Sequence, residues 1–335
     1  MTRRRISKRA AGGGALIALG LAMLIALAGV WSYAGPGPKA RQGAATVVVL
    51  ERGSGVGQIG RTLRSAGVIS SAGLFAVAAR LSGAASDLKA GEYEFASGTP
   101  LARVLGDIRA GKVVRRVITI PEGWTSGMAL DAVNASPVLT GTATEPPEGS
   151  LLPDTYDIQR GESREAVIQR MREAHDKLLA VLWANRQPGL PLNSPDEAVT
   201  LASIVEKETG VPAERPRVAA IFINRLRAGM LLQSDPTIIY GLTKGRPLGR
   251  GIRASELAAD SPWNSYRAAG LPPGPIANPG RDALAAVLDP PKTDELYFVA
   301  DGTGGHAFAS TYEAHEKNVE RWRAIERDRA GGTGQ

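Results

Sequence analysis

The feature that most constrains this chain is a run of 25 residues without a charged side chain, from residue 10 to residue 34. About 20 apolar residues are enough to cross a bilayer as a helix. Five basic side chains lie just before the run, and basic residues stay on the cytoplasmic side of a membrane. The sequence therefore predicts a cytoplasmic tail at residues 1–9 and a transmembrane helix at residues 10–34.

A cleaved signal peptide is the competing interpretation, with Ser32-Tyr33-Ala34 as the cleavage site. The apolar core of a signal peptide is ~7–15 residues long, so this longer run favours an uncleaved anchor. Both interpretations export the remainder of the chain. The basic tail supplies five of the seven net positive charges, so we expect no basic surface that binds nucleic acid in the exported part.

The residue inventory excludes several kinds of site. The chain contains no cysteine, which rules out disulfides, thiol catalysis and thiolate metal sites. Its three histidines, His175, His306 and His315, lack the spacing of a zinc motif, and the sequence has no Walker loop or G-x-S-x-G motif. We therefore expect neither a metal nor a cofactor.

A small α+β module is predicted after a proline- and glycine-rich linker at residues 35–44. Its strands are predicted at 45–50 and 90–95, and its helices at 54–66, 71–81 and 101–109. Residues 55–60 read G-x-G-x-x-G, a motif of dinucleotide-binding folds, but the second strand of such a fold is not predicted after it. A dinucleotide site also needs an acidic residue about 20 positions further on, at the end of a second strand. We interpret these glycines as turn and close-packing residues.

A short helix in the larger part of the chain carries two acidic side chains in its last turn. Ser194 is a predicted N-cap, Pro195 suits the first helical position, Glu197 completes a capping box, and the helix should stop near Gly210.

Glu206 and Glu208 point to roughly opposite sides of this helix, at ~100° per residue. Glu206 shares its face with Val199, Ala202 and Ser203, whose small size lets another element or a ligand approach closely. Glu208 lies on an apolar face. A carboxyl at the negative end of a helix, beside apolar side chains, should keep its proton, as a general acid must. Ordinary surface or salt-bridged roles are the alternative for both residues.

Several later segments have structural and functional interpretations of similar weight. Asn224 interrupts an apolar helix, where it can act as a structural clamp or contact a substrate. Asp235-Pro236 and Asn278-Pro279 follow helix-capping patterns. The proline-rich region at 263–280 is either a preset ligand loop or a structural crossover. Beyond it the sequence predicts a β-hairpin at 296–309, a final helix at 315–329 and a disordered tail at 331–335.

Seven segments together carry a more specific signal: IPEGWT (120–125), LPDTY (152–156), LASIVEKET (201–209), FINRLRAGMLLQSDPTIIYG (222–241), GLPPGPIANPG (270–280), LYFVADGTGGHAF (296–308) and TYEAHEKN (311–318). In this order and register they resemble the endolytic murein transglycosylase family, the MltG/YceG-like proteins. The resemblance runs from about residue 45 to residue 325.

The resemblance implies an α+β protein of the cytoplasmic (inner) membrane, anchored by one helix. It implies a small LysM-like glycan-binding module at 45–115 and a larger catalytic domain at 116–330, both outside the cytoplasm. The substrate would be the glycan strands of peptidoglycan, and the expected protein partners are glycan polymerases and penicillin-binding proteins.

The family's catalytic acid matches the first Glu of the EKE triplet, which is Glu206. The resemblance also implies a glycan groove lined by Asn224, Gln233, Asp235, Tyr240, Asn264, Pro272, Pro273 and His306. The chain departs from the family pattern at three positions. Leu152 and Ile158 replace frequent aromatics, which puts one sugar-stacking contact in doubt, and Glu316 replaces a usual Asn.

The implied reaction is non-hydrolytic cleavage of the β-1,4 bond between N-acetylmuramic acid and N-acetylglucosamine, within nascent strands. It leaves a 1,6-anhydro end and would set glycan chain length. A hydrolysing muramidase is an alternative that needs a second carboxylate, for which Asp235 and Glu214 are candidates. An anchored glycan-binding scaffold without catalysis is the other alternative.

Overall fold

The computed structural model describes residues 8–332, so most of the predicted basic tail and residues 333–335 lie outside the described residues. The chain divides into two compact units at Arg116, and each has its own hydrophobic core. Both units combine helices with small two-stranded sheets, which is an α+β architecture.

The first helix, α1 (Lys8–Ala34), covers the segment where the sequence predicts a transmembrane span. Over the described part of the chain, no helix combines the length and the apolar content that a bilayer crossing requires. At the carboxyl end of α1, Tyr33 packs against the core of the first unit.

The first unit folds as the predicted small module. Its further elements are, in chain order, β1 (Ala45–Leu50), α2 (Val56–Ser65), α3 (Ala72–Leu81), β2 (Gly91–Ala96) and α4 (Leu101–Ala110). The two strands pair antiparallel, with Ala45 opposite Ala96. Phe75 and Tyr93 are fully enclosed between the strands and the helices. The predicted order of strands and helices is therefore confirmed, with bounds that differ by one or two residues.

Gly60, the third glycine of the G-x-G-x-x-G motif, lies where α2 packs on α3. A Cβ at this position would stand 3.0 Å from the carbonyl oxygen of Ala72 and 3.3 Å from the ring of Phe75. The element that follows is a helix, which excludes the second strand of a dinucleotide fold. The close-packing interpretation is thus confirmed for Gly60.

The second unit is larger. Its elements are β3 (Arg116–Thr119), α5 (Ser126–Ala135), β4 (Thr155–Ile158), α6 (Arg164–Ala184), α7 (Pro195–Glu208), α8 (Arg215–Arg227), α9 (Asp235–Thr243), α10 (Ala254–Leu257), α11 (Arg281–Leu288), β5 (Tyr297–Ala300), β6 (His306–Ala309) and α12 (Tyr312–Gly332). β3 pairs with β4, and β5 and β6 form the predicted antiparallel hairpin. The last helix extends two residues into the predicted tail.

Helix α7 is the central helix of the second unit. Every residue from Ala198 to Val205 is buried, and the helix packs against α8 and α11. A helix enclosed on all sides needs small or apolar side chains all round. The two hydroxyls in this stretch are satisfied within the helix, because Thr200 donates to the carbonyl of Asp196 and Ser203 to that of Thr200.

The helix ends largely follow the predicted chemistry. Ser194 caps α7 by accepting a hydrogen bond from the amide of Glu197 at 3.2 Å. The carboxylate of Glu197, however, accepts from the amide of Asn193, so the reciprocal half of the predicted capping box is displaced by one residue. The helix ends at Glu208, two residues before Gly210.

Two predicted caps are wrong, because the side chains concerned bind elsewhere. The N-cap of α9 is Ser234, which makes Asp235 the first helical residue, and Asp235 accepts a hydrogen bond from the hydroxyl of Tyr266 at 2.6 Å. The N-cap of α11 is Gly280, and Asn278 instead uses its amide group to join two loops.

Candidate active site

The carboxyl end of α7 lies against the proline-rich segment that precedes α11. On one face of the helix, Ser203 accepts a hydrogen bond from the amide of Ile276 at 2.9 Å. One turn later, the Oε2 atom of Glu206 accepts from the amide of Gly280, also at 2.9 Å. This is the close approach of another element that the small residues on the Glu206 face predict.

The other carboxyl oxygen of Glu206 contacts Arg215 at the start of α8. The Nη2 atom of Arg215 lies 3.3 Å from Glu206 Oε1 and 3.2 Å from Glu122 Oε2, and its Nη1 atom lies 3.5 Å from Asp282 Oδ2. The side chains of Glu206 and Arg215 are only 4% and 9% exposed, whereas those of Glu122 and Asp282 are 43% and 70% exposed. A buried ion pair is therefore bordered by two exposed carboxylates.

Burial raises the pKa of Glu206, while the amide of Gly280 and the guanidinium of Arg215 act to lower it. The negative charges of Glu122 and Asp282 add to the increase. The predicted direction is confirmed, but its main cause is burial.

The side chain of Glu208 lies on another face of the same helix end and accepts a hydrogen bond from the hydroxyl of Ser234. Burial raises the pKa of Glu208 to about 7, although the Ser234 hydroxyl acts to lower it. The nearby charge of Asp235 raises this pKa further, and those of His306 and Arg225 lower it. Near neutral pH this carboxyl can both give and take a proton, which is what a general acid and base requires.

His306 and Glu214 form a second polar pair near this end of α7. The backbone amide of His306 lies 2.9 Å from Glu214 Oε1, and its Nδ1 atom lies 2.7 Å from Oε2. Burial acts to raise the pKa of Glu214, but the hydrogen bonds from His306 outweigh it and lower the pKa overall. The hydroxyl of Thr209, next to Glu208 in the chain, also reaches Glu214 at 3.4 Å.

The residues predicted to line the groove fall into two groups. Asp235 and His306 are close enough to Glu208 to shift its pKa. Gln233 immediately precedes Ser234, whose hydroxyl binds Glu208. Gln233 also has a backbone φ of 52°, in the left-handed region that non-glycine residues rarely adopt and that often marks functional sites.

The remaining predicted residues have structural contacts. Asn224 donates to the carbonyls of Thr293 and Glu295, and Asn264 to those of Leu257 and Ala259. Tyr240 is buried and donates to Glu148 at 3.3 Å, while its ring packs 4.7 Å from that of Trp263. Pro272 is buried and Pro273 is exposed. Substrate contacts for these five residues stay predictions.

Comparison with known proteins identifies the family. The sequence model of the protein family described as YceG-like matches residues 48–321 of this chain. This chain belongs to the YceG-like family.

Curated relatives of this YceG-like chain carry the name endolytic murein transglycosylase. Those of two Streptococcus pneumoniae strains, R6 and D39, are 31% identical over 322 residues, covering 81% of this chain and 57% of the relative. The relative from Bacillus subtilis strain 168 is 35% identical over 178 residues, covering 53% of this chain and 48% of its own. The chain thus spans about half the length of these relatives.

A solved structure supports the same YceG-like fold. A putative YceG-like protein from Listeria monocytogenes superimposes with a TM-score of 0.52 and 29% sequence identity. The superposition covers 82% of this chain and 98% of that one.

Sequence reasoning missed four residues that shape the site of this YceG-like chain: Arg215, Ser234, Tyr266 and Glu148. Arg215 follows a loop and gave no local signal, because its partner carboxylates come from distant parts of the chain. Ser234 lies inside the segment at 222–241 and Tyr266 inside the proline-rich region at 263–280, and neither side chain has a local signal for its partner, which folding brings close. Glu148 comes from a loop, and burial raises its pKa even though the amides of Ser126 and Gly149 bind it.

Proposed function

We propose that this chain is a peptidoglycan lytic transglycosylase and that Glu208 is its general acid and base. The relatives named endolytic murein transglycosylase support the reaction class. The observation that carries the choice of residue is the setting of the Glu208 carboxyl: it accepts a hydrogen bond from Ser234, lies near the predicted groove residues Asp235 and His306, and burial raises its pKa to about 7.

Glu206 is the acid that the sequence resemblance indicates, and its surroundings suit catalysis less well. Both of its carboxyl oxygens are occupied, one by the guanidinium of Arg215 and the other by the amide of Gly280. A carboxyl that gives up its proton to a sugar must be free to reach it. The hydrogen bond from Ser234 occupies one oxygen of Glu208, and no other bond to this carboxyl is found among the described residues.

In the proposed reaction Glu208 first protonates the glycosidic oxygen that leaves the muramic sugar. The resulting carboxylate then takes the proton of the 6-hydroxyl of the same sugar, whose oxygen attacks the anomeric carbon and closes a 1,6-anhydro ring. One carboxyl is sufficient because the nucleophile is tethered to the reacting centre. Intramolecular attack in a good geometry can lower the barrier by ~7 kcal/mol or more.

A hydrolysing muramidase would need a second carboxylate to activate water or attack the sugar. Of the two candidates from the sequence, Asp235 acts on the pKa of Glu208, whereas Glu214 is held by His306. Asp235 is itself hydrogen-bonded to Tyr266. The hydrolytic alternative therefore depends on Asp235, and the products distinguish it.

Mass spectrometry of the muropeptides released from purified glycan strands tests the proposal. The wild type should release 1,6-anhydro ends, and Glu208→Gln should release them ~10²–10⁴-fold more slowly. Glu206→Gln, its partner variant two residues away, should keep the anhydro product. Reducing ends in place of anhydro ends would indicate hydrolysis, intact strands with wild type would indicate a scaffold, and an inactive Glu206→Gln with an active Glu208→Gln would return the role to Glu206.

The finer features of the proposal rest on the sequence. We propose that residues 10–34 anchor the chain in the cytoplasmic membrane, because a basic cluster precedes 25 uncharged residues. Sedimentation with membranes that resists alkaline extraction would support the anchor, and release into the supernatant would contradict it.

We further propose that the module at 45–115 binds glycan in the manner of LysM domains and that the enzyme cuts nascent strands internally, near glycan polymerases and penicillin-binding proteins. Longer glycan strands in cells that carry Glu208→Gln would support a role in chain length. Recovery of penicillin-binding proteins after cross-linking to the full chain would support the partners, and their absence would contradict them.

A further inference from the structure

Ser234 is an N-cap serine that does not cap its helix. Serine is favoured at this position because its hydroxyl accepts a hydrogen bond from an amide of the first turn. The N-caps Ser71, Ser163 and Ser194 do this in α3, α6 and α7, whereas the side chain of Ser234 makes no such bond in α9. Its hydroxyl donates to Glu208 instead.

Neighbouring side chains fix Ser234 in place through its backbone. Its amide donates to the hydroxyl oxygen of Ser265 at 2.9 Å, and its carbonyl accepts from the hydroxyl of Thr237 at 2.7 Å. The hydroxyl oxygens of Ser265 and Thr237 lie 2.8 Å apart. The hydroxyl of Ser265 also lies 3.3 Å from the carbonyl oxygen of Ser234, so both neighbouring hydroxyls border this backbone.

This arrangement leaves the hydroxyl hydrogen of Ser234 for Glu208 alone. Ser234 and Thr237 are fully buried and Ser265 is 3% exposed, so water does not compete for these bonds. The preceding residue, Gln233, is held in its left-handed conformation while its amide donates to the carbonyl of Ser265 at 3.0 Å. The segment is therefore held on both sides of Ser234.

We propose that Ser234 is a positioning residue for the reaction: its hydroxyl, fixed by Ser265 and Thr237, holds the carboxyl of Glu208 in one orientation. This inference rests on the proposed role of Glu208. The charged and titratable groups that face this carboxyl from the packed elements are Asp235, Tyr266, Arg225 and His306. All four side chains are present in every Ser234 variant, so the variants differ from wild type in the side chain at position 234 alone.

The test compares Ser234→Ala, Ser234→Gly and Ser234→Thr in the full chain. A hydroxyl that donates to a carboxylate stabilises the charged form, so its loss should raise the pKa of Glu208 by roughly one pH unit. Two readouts follow this pKa: the alkaline limb of the profile of kcat/KM against pH, and the carboxyl shift of Glu208 in ¹³C-Glu-labelled protein, assigned with Glu208→Gln. Loss of the hydroxyl should also lower kcat ~10-fold because the carboxyl is no longer held in place.

Ser234→Thr keeps a hydroxyl and should restore both readouts. If Ser234→Ala does not fold, Ser234→Gly replaces it in the test, because glycine is tolerated at N-caps. Ser163→Ala is the matched control, since it removes an N-cap hydroxyl from α6 and should leave the Glu208 titration unchanged. An unshifted titration in Ser234→Ala and Ser234→Gly would overturn the inference. If the wild type cleaves no glycan, the proposed function fails, whereas the carboxyl titration still decides whether Ser234 governs Glu208.

Discussion

Glu206 and Glu208 stand two residues apart at the end of α7, and their carboxyl groups meet different chemistry. The carboxyl of Glu206 pairs with the buried guanidinium of Arg215, whereas that of Glu208 accepts a hydrogen bond from the hydroxyl of Ser234. Burial raises both pKa values, but among the described residues only Glu206 forms an ion pair with a guanidinium, whereas Arg225 acts on Glu208 without pairing with it. We therefore expect substitutions at the two positions to have separable effects on catalysis and on stability.

The pH dependence of activity should report on Glu208. With its pKa raised to about 7, the carboxyl is protonated below this pH and progressively loses its proton above it. Because the first step needs the proton, kcat/KM for glycan cleavage should fall ~10-fold for each pH unit above about 7. The profile of kcat/KM measured from pH 5 to pH 9 checks this. A decline that begins near the ordinary value of 4.5, or no decline up to pH 9, would contradict it.

The pH dependence of stability should report on the same group. Between pH 4.5 and about 7 the folded protein holds a proton on Glu208 that the unfolded chain releases, so the free energy of unfolding falls as pH rises through this window. The full cost above pH 7 is about 3 kcal/mol. Glu208→Gln should therefore be more stable relative to wild type at pH 8 than at pH 4.5, as measured by urea unfolding at both pH values.

Glu313 provides the control for this measurement, because its side chain is 80% exposed. Glu313→Gln removes only an exposed ion pair with Lys317, worth less than about 1 kcal/mol, so its difference from wild type should change far less between the two pH values than that of Glu208→Gln. Parallel stability curves for wild type and Glu208→Gln would show that Glu208 ionises equally in the folded and unfolded states.

The ion pair between Arg215 and Glu206 should behave as a coupled unit. Arg215→Met leaves a buried carboxylate without its counter-charge, which should lower the free energy of unfolding by about 3–5 kcal/mol. Combining it with Glu206→Gln removes the uncompensated charge, so the double variant should be more stable than Arg215→Met alone. Denaturant unfolding of the two single variants and the double variant measures the coupling, and additive losses would show that the pair does not interact.

The approach of the proline-rich segment to α7 depends on Gly149. This residue has a φ of 76°, and a Cβ there would lie 2.6 Å from Pro275 and 3.0 Å from Val199. Gly149→Ala should therefore displace the segment that binds Glu206 and lower stability by more than about 2 kcal/mol. Gly161 has a similar φ of 82° with nothing near its would-be Cβ, so Gly161→Ala isolates the backbone strain of roughly 1 kcal/mol. Equal losses of unfolding free energy in the two variants would contradict the steric argument.

Local chemistry determined much of this protein. Hydrophobic periodicity and capping residues predicted most helices to within a few positions, because these signals act within one or two turns of chain. The sequence also excludes a dinucleotide site at the G-x-G-x-x-G segment, because the residues that follow have the pattern of a helix and not of a second strand. The motif order alone also indicated the family, and the periodicity of α7 placed Glu206 and Glu208 on different faces.

The tertiary structure decided which partner each carboxyl has. Arg215 and Gly280 bind Glu206 from separate segments, Glu122 shares the guanidinium of Arg215 with it, and Ser234 binds Glu208 from 26 residues away. It also decided that two predicted caps are not used. Asp235 binds the hydroxyl of Tyr266, and Asn278 joins the loops around residues 124 and 151. A pKa depends on burial and on charges that folding brings together, so the sequence supplies the acids, and only the packing around them distinguishes a paired carboxylate from one that keeps its proton.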